Sequence, residues 1–304
     1  MEFRIFDFDD TLVTSGTAQK DYFISWGKER GYFKTKEDIT EFINFKNLPK
    51  NTGITYMNTF FEFFKSKDKE FFDKLPNKPT EKTIEEDMNQ FVCEKISSSE
   101  QVRPVDGVVD LLDDKSGKVK FSIATAGSGP IIEAKLSNKN LQPISNIFSF
   151  DKGNVFCVDS IPTRKAKPEP DVFLWAFAET VRKNPHAASL GVTAFMFDDS
   201  PSGVDATVKA RKILLGDSVI LAEKLRNIGI ESGVIEFIKN AKKEGKLKVY
   251  SVACNGVIYN EEANEKIKNL KPDLIVKNMN KISEVLTNFK NQIQQVDKCF
   301  IRNL

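Results

Sequence analysis

Residues 3–8 alternate apolar and polar positions and run into Asp7, Asp9, Asp10 and Thr11. This predicts a short strand whose C-terminal end is a candidate site, because a strand interior does not tolerate such a charge cluster unpaired. From about residue 17 to 98 the apolar spacing becomes helical and Phe-rich, through AQKDYFISWGKERGYF, ITYMNTFFEFFKSKDKEFFDKL and TIEEDMNQFVCEKI. No strand pattern interrupts it. The expectation is an α-helical domain over residues 17–99 inserted after the first strand, with QVRPVDG at 101–107 as the return linker.

Beyond the linker the pattern alternates. GVVDLLDDKSG reads as a helix, KVKFSIAT as a strand, GPIIEAKLSN as a helix, residues 146–149 as a short strand, DVFLWAFAETVRKN as a helix and VTAFMF as an apolar strand ending in Asp198 and Asp199. Strand and helix in turn predict an α/β core with crossover helices, a Rossmann-like and mainly parallel sheet built from residues 1–16 and 100–304. Polar residues at the C-terminal ends of parallel strands converge on one crevice, so Asp7, Asp9, Asp198 and Asp199 can share a site. GVDATVKARK, VILAEKLRNI and GVIEFIKNAKKEG then supply more helix than a minimal core needs, which marks 211–246 as an insertion or elaboration. KLKVYSVAC and DLIVKN read as further strands, and NKISEVLTNFKNQI as a closing helix.

Composition narrows the partners. The 45 Lys and Arg residues are interspersed with 43 Asp and Glu, for a net charge of +2, so there is no concentrated basic face to bind nucleic acid. The N-terminus lacks the apolar core of a signal peptide, and no segment approaches the roughly 18 apolar residues of a membrane span. The expectation is a soluble cytoplasmic protein without a membrane partner, either monomeric or homo-oligomeric. Cys93, Cys157, Cys254 and Cys299 form no short-spaced metal pair and read as ordinary buried thiols. The 25 phenylalanines include Phe60, Phe61, Phe63, Phe64, Phe71 and Phe72, whose spacing suits core or cap-interface packing.

The segment FRIFDFDDTLV resembles the first motif of the haloacid-dehalogenase-like superfamily, with Asp7, Asp9 and Thr11 at its marked positions. The other expected signals follow in order: Thr125 in FSIATAGSG, Lys167 in KAKPEPDVF, and Asp198 with Asp199 in AFMFDDSPSGVDA. Within the superfamily the sequence is most similar to the phosphoglycolate phosphatase and beta-phosphoglucomutase group, which places a helical cap directly after the first motif. This resemblance implies hydrolysis of a small phosphate monoester through an aspartyl-phosphate on Asp7. A carboxylate fixed at a strand end is suited to that attack.

The two-residue period of an extended strand puts Asp9 on the same side as Asp7, where it can protonate the leaving oxygen and then activate water. Asp10 falls on the opposite face and reads as a loop or capping residue. Carboxylates beside a phosphate dianion need a hard cation, and Mg²⁺ suits an oxygen site made by Asp7, the Asp9 backbone carbonyl and Asp199, with Asp198 either a ligand or one step removed. No His or Cys grouping points to zinc.

The Thr125 hydroxyl and the N–H groups of Ala126 and Gly127 can cradle phosphate oxygens, and Lys167 lies just before Pro168 and Pro170, whose rings restrict the backbone. Ser200 belongs to a loop that positions Asp199, and Ser202 reads as the cap of the next helix. A sugar-phosphate mutase is the alternative enzyme. Its relatives carry a histidine early in the first cap helix, where this chain has Lys20, Asp21 and Tyr22. A non-catalytic scaffold is disfavoured because Asp7, Asp9, Thr125, Lys167 and Asp199 are all present.

Overall fold

The computed structural model describes residues 1–45, 53–76, 78–114, 116–254, 261–277 and 279–302; the side chain of Cys299 lies outside the described part. The strands are β1 (Glu2–Phe6), β2 (Val13–Thr14), β3 (Arg103–Pro104), β4 (Val119–Thr125), β5 (Val155–Cys157), β6 (Val192–Asp198), β7 (Leu247–Cys254) and β8 (Leu274–Val276). Between β2 and β3 lie α1 (Gly16–Glu29), α2 (Lys36–Asn44), α3 (Gly53–Lys67) and α4 (Glu81–Ile96). Next come α5 (Val108–Leu112), α6 (Gly129–Leu136), α7 (Gln142–Ser145), α8 (Asp171–Lys183) and α9 (Ala187–Leu190). The remainder are α10 (Pro201–Leu215), α11 (Ser218–Asn227), α12 (Ser232–Lys243), α13 (Glu261–Leu270) and α14 (Ile282–Arg302).

Phe3 and Ile5 pack into the hydrophobic layer on one face of the sheet, and Phe6 joins the layer on the other. A strand buried on both faces belongs in the middle of a parallel sheet. The observed order is β5-β4-β1-β6-β7-β8, with every neighbouring pair parallel. This is a mixed α/β architecture whose parallel sheet is flanked by helices, with α1–α4 as the helical part outside it. The antiparallel β2–β3 ribbon sets the two connections to that part side by side.

α1–α4 enclose an aromatic cluster in which Phe60 touches Phe23, Trp26, Tyr32, Phe33, Phe42, Phe61, Phe64 and Phe72, largely edge to face. Such pairs add about 0.5–1.5 kcal/mol each beyond the area they bury. The Phe-rich spacing is therefore packing. α2 is fixed at its start by a reciprocal capping box between Thr35 and Asp38.

Several boundaries differ from the sequence reading. Residues 146–149 form no strand; β5 lies instead at Val155–Cys157. Asn154 explains the difference, since its side chain donates to the Ile147 carbonyl at 2.9 Å and accepts from Ser149 N–H at 3.1 Å, so side-chain bonds take the place of a ladder. The helix expected over 107–117 stops at Leu112. There Asp114 accepts from Ser116 N–H and Val119 N–H, and a turn follows with Gly117 at φ 66°. The sequence reading also passed over α13. α11 and α12 occur in the segment read as an elaboration, and they bury Leu221, Leu225, Ile235 and Ile238 in the layer that holds α8. Among the described residues, no helix is long and apolar enough to cross a membrane.

Candidate active site

The sheet's C-terminal edge gathers the residues singled out above. Asp7 follows β1 directly, and its N–H donates to the Phe197 carbonyl at 2.8 Å, which holds the backbone of Asp7 against β6. Asp198 ends β6 and Asp199 comes next. Carboxylate oxygens of Asp7, Asp198 and Asp199 lie within 4.8 Å of one another, and all three residues are buried. Oxygen donors at this spacing fit a hard divalent cation.

Lys167 enters this group from the loop before α8. Its ammonium pairs with Asp7 and lies 2.7 Å from Asp198 Oδ2, with the Phe173 ring centroid 4.9 Å away. Two carboxylates thus share one ammonium, with the third, Asp199, close beside them. Burial, followed by the Asp198 and Asp9 charges, outweighs Lys167 and pushes the Asp7 carboxyl up to about 7. Asp199 is held well above the ordinary carboxylate range by burial, then by Asp198 and Asp7. Burial alone would lower the Lys167 ammonium, but Asp198 and Asp7 prevail and hold it above its ordinary value. Raised acids in a buried oxygen cluster are the electrostatic mark of a site built for added positive charge.

The supporting contacts fix each carboxylate. Thr11 Oγ1 donates to Asp199 Oδ1 at 2.8 Å. Ser200 donates to Asp198 Oδ1 from both N–H (2.9 Å) and hydroxyl (2.8 Å), while its oxygen accepts from Gly203 N–H at 3.0 Å. Ser200, not Ser202, is therefore the cap of α10; Pro201 occupies the first helical position, which suits a residue without an N–H. A Cβ on Gly203 would lie 1.9 Å from Asp198 Cγ, so only glycine fits beneath that carboxylate.

Thr125 ends β4, and its Oγ1 accepts from Gly127 N–H at 3.0 Å, forming a closed turn before α6 with Ala126 between them. Asp10 sits at φ 58° and accepts from Ser15 N–H, in keeping with a loop residue. Asp9 departs from the strand-period expectation. The ladder of β1 ends at Phe6, and Asp9 lies in the following loop, where its carboxylate accepts from the Ser15 hydroxyl and pairs with Lys135. Ser15, Gln19 and Lys135 were missed by sequence reasoning. Only burial reveals them, since GPIIEAKL carries no signal that its lysine points inward.

Comparison with known proteins gives a consistent picture. The family model described as haloacid dehalogenase-like hydrolase matches residues 4–211, the span that contains every one of these site residues. No curated protein matches the chain. Among solved structures, CbbY from Rhodobacter sphaeroides in complex with phosphate is 17% identical, with a TM-score of 0.52 over 93% of this chain and 96% of that one. A HAD hydrolase, family IA, variant 3, from Entamoeba histolytica is 17% identical, with a TM-score of 0.52 over 93% of this chain and 95% of that one. A conserved haloacid dehalogenase-like protein of unknown function from Agrobacterium tumefaciens is 15% identical, with a TM-score of 0.51 over 95% and 98%. These likenesses are of fold. With a family match spanning residues 4–211 of 304, the chain belongs to the haloacid dehalogenase-like hydrolases.

Proposed function

We propose that this protein hydrolyses a small phosphate monoester, with Mg²⁺ as cofactor, through an aspartyl-phosphate on Asp7. The observation that carries this reading is the buried Asp7, Asp198 and Asp199 group with Lys167 paired to Asp7. Asp7 is the nucleophile, a carboxylate whose backbone is anchored to β6. Lys167 neutralises phosphoryl oxygens while holding Asp7 and Asp198 in register. The Thr125 hydroxyl and the Ala126 N–H line the phosphate as donors, with the Gly127 N–H holding the Thr125 oxygen in place.

Asp9 gives the leaving oxygen its proton, then takes one from the water that attacks the aspartyl-phosphate. Asp7, the Asp9 carbonyl, Asp199 and Asp198 would hold the cation, which supplies charge neutralisation for the incoming dianion. Residues 17–99 form the cap domain, selecting the leaving group and excluding water, and residues 1–16 with 100–304 form the core. A CbbY structure that holds phosphate on this fold supports a phosphorylated ligand. Phosphate release from a panel of small monoesters, with and without Mg²⁺, tests the proposal. Metal-dependent release from at least one ester is expected, and equal release in chelator-treated protein contradicts it.

A further inference from the structure

Lys135 lies on the last turn of α6 and is wholly buried, a state lysine almost never adopts unless paired. Its ammonium meets the Asp9 carboxylate, donates to Gln19 Oε1 of α1 at 2.9 Å, and sits 6.0 Å from the centroid of the Phe8 ring. Asp9 also accepts from the hydroxyl of Ser15, the residue just before α1. The Asp9 carboxylate is thus gripped from two sides, by a helix that follows β4 and by the entrance to the helical part.

The other buried ammonium, Lys167, is committed to Asp7 and Asp198, so the two lysines divide the first motif between them. Desolvating an ammonium costs several kcal/mol, and an apolar side chain would fill the same space without that cost. What the lysine adds is directional: donors aimed at Asp9 and at Gln19.

We propose that Lys135 is a positioning residue that fixes the Asp9 carboxylate for proton transfer and, through Gln19, makes that position depend on how α1 is seated. This rests on the assignment of Asp9 as the proton-transfer residue. The proton delivered to the leaving oxygen is Asp9's; Lys135 retains its own.

The test uses full-length Lys135→Met and Lys135→Gln, each assayed on an aryl phosphate with a nitrophenol leaving group and on an alkyl phosphate that the wild type turns over. Lys135→Met is expected to lower kcat/KM, which reports formation of the aspartyl-phosphate, by about 10²-fold or more on the alkyl ester and by less than about 10-fold on the aryl ester, since in that step only the poor leaving group needs the proton. Lys135→Gln keeps an N–H donor and recovers part of the loss, and Lys135→Met adds nothing to Asp9→Asn. Gln19→Leu, which leaves the lysine in place, gives a smaller loss of the same ester selectivity and decides the matter should Lys135→Met not fold. Equal losses of kcat/KM on both esters, or full additivity with Asp9→Asn, overturn the proposal.

A crystal structure of Lys135→Gln and of Gln19→Leu supplies a readout free of activity. A shifted Asp9 carboxylate is expected, and an unmoved one overturns the positioning role. Absence of wild-type hydrolysis of every ester would instead reject the proposed function, and the Asp9 position in the variant structures would still decide the role of Lys135.

Discussion

Thr11 donates its hydroxyl to Asp199 at 2.8 Å, joining the loop after β1 to the end of β6 across 188 residues of sequence. The bond satisfies one oxygen of a buried carboxylate and sets its orientation toward Asp7. Residues that orient a metal-binding carboxylate typically matter by about 10–100-fold in metal affinity. Thr11→Val should weaken Mg²⁺ binding within that range while leaving the fold intact, and Thr11→Ser should restore it; titration calorimetry reads both.

Gly203 bears on the neighbouring carboxylate, Asp198, from below. Because a Cβ there would meet the Asp198 carboxylate at 1.9–2.0 Å, Gly203→Ala must push Asp198 away from Lys167 or shift the start of α10. A misplacement of about 1 Å can cost about 10²-fold in rate. Turnover by Gly203→Ala should fall by about that factor, measured as kcat on the best ester of the panel.

The raised acids give the candidate metal site a pH dependence of definite sign. With the Asp7 carboxyl at about 7, against an ordinary value of 3.8, the metal-free folded chain holds a proton that the unfolded chain has lost between those pH values. The stability from this group is complete below the unfolded value and is lost as pH rises through about 7. Cation binding expels the proton. Mg²⁺ affinity should therefore rise as pH increases from about 5.5 to 8, with proton release visible in buffers of different ionisation enthalpy. A pH-independent affinity would remove Asp7 from the metal site.

The helices read as an elaboration reach the loop that carries Lys167. Lys224 of α11 lies 2.6 Å from Asp171, a fully buried carboxylate that also accepts from Thr163 at 2.8 Å, so both ends of the loop carrying Lys167 are tied together. Lys224 is partly exposed, but removing it leaves the buried Asp171 charge without its cation, at a cost near the low end of the buried-pair range, about 3 kcal/mol. Lys224→Met should lose that much stability in urea unfolding, and a second change, Asp171→Leu, should recover part of it.

The candidate site was legible wherever a polar residue terminates an apolar run. Asp7, Thr125 and Asp198 each close or follow a strand, and Lys167 is followed by Pro168 and Pro170, so the order of residues along the chain already carries them to one edge. Lys135 was not legible, because its burial depends on α1 and on Asp9, which are far away in sequence. Likewise, Ile147 and Phe148 look like strand residues until Asn154 takes up the neighbouring backbone groups. Local pattern cannot report a side chain that replaces a ladder.

The central claim is that phosphate is carried on Asp7. Rapid quench with an aryl phosphate labelled in its phosphoryl group, followed by peptide mapping, tests it in wild type, Asp7→Asn and Asp9→Asn, after each is shown to be folded and the wild type and Asp9→Asn are shown to bind Mg²⁺. The account predicts label trapped on Asp7 in Asp9→Asn, where activation of the hydrolytic water is impaired by about 10²–10⁴-fold, and none in Asp7→Asn. Undiminished labelling and turnover in Asp7→Asn would contradict it.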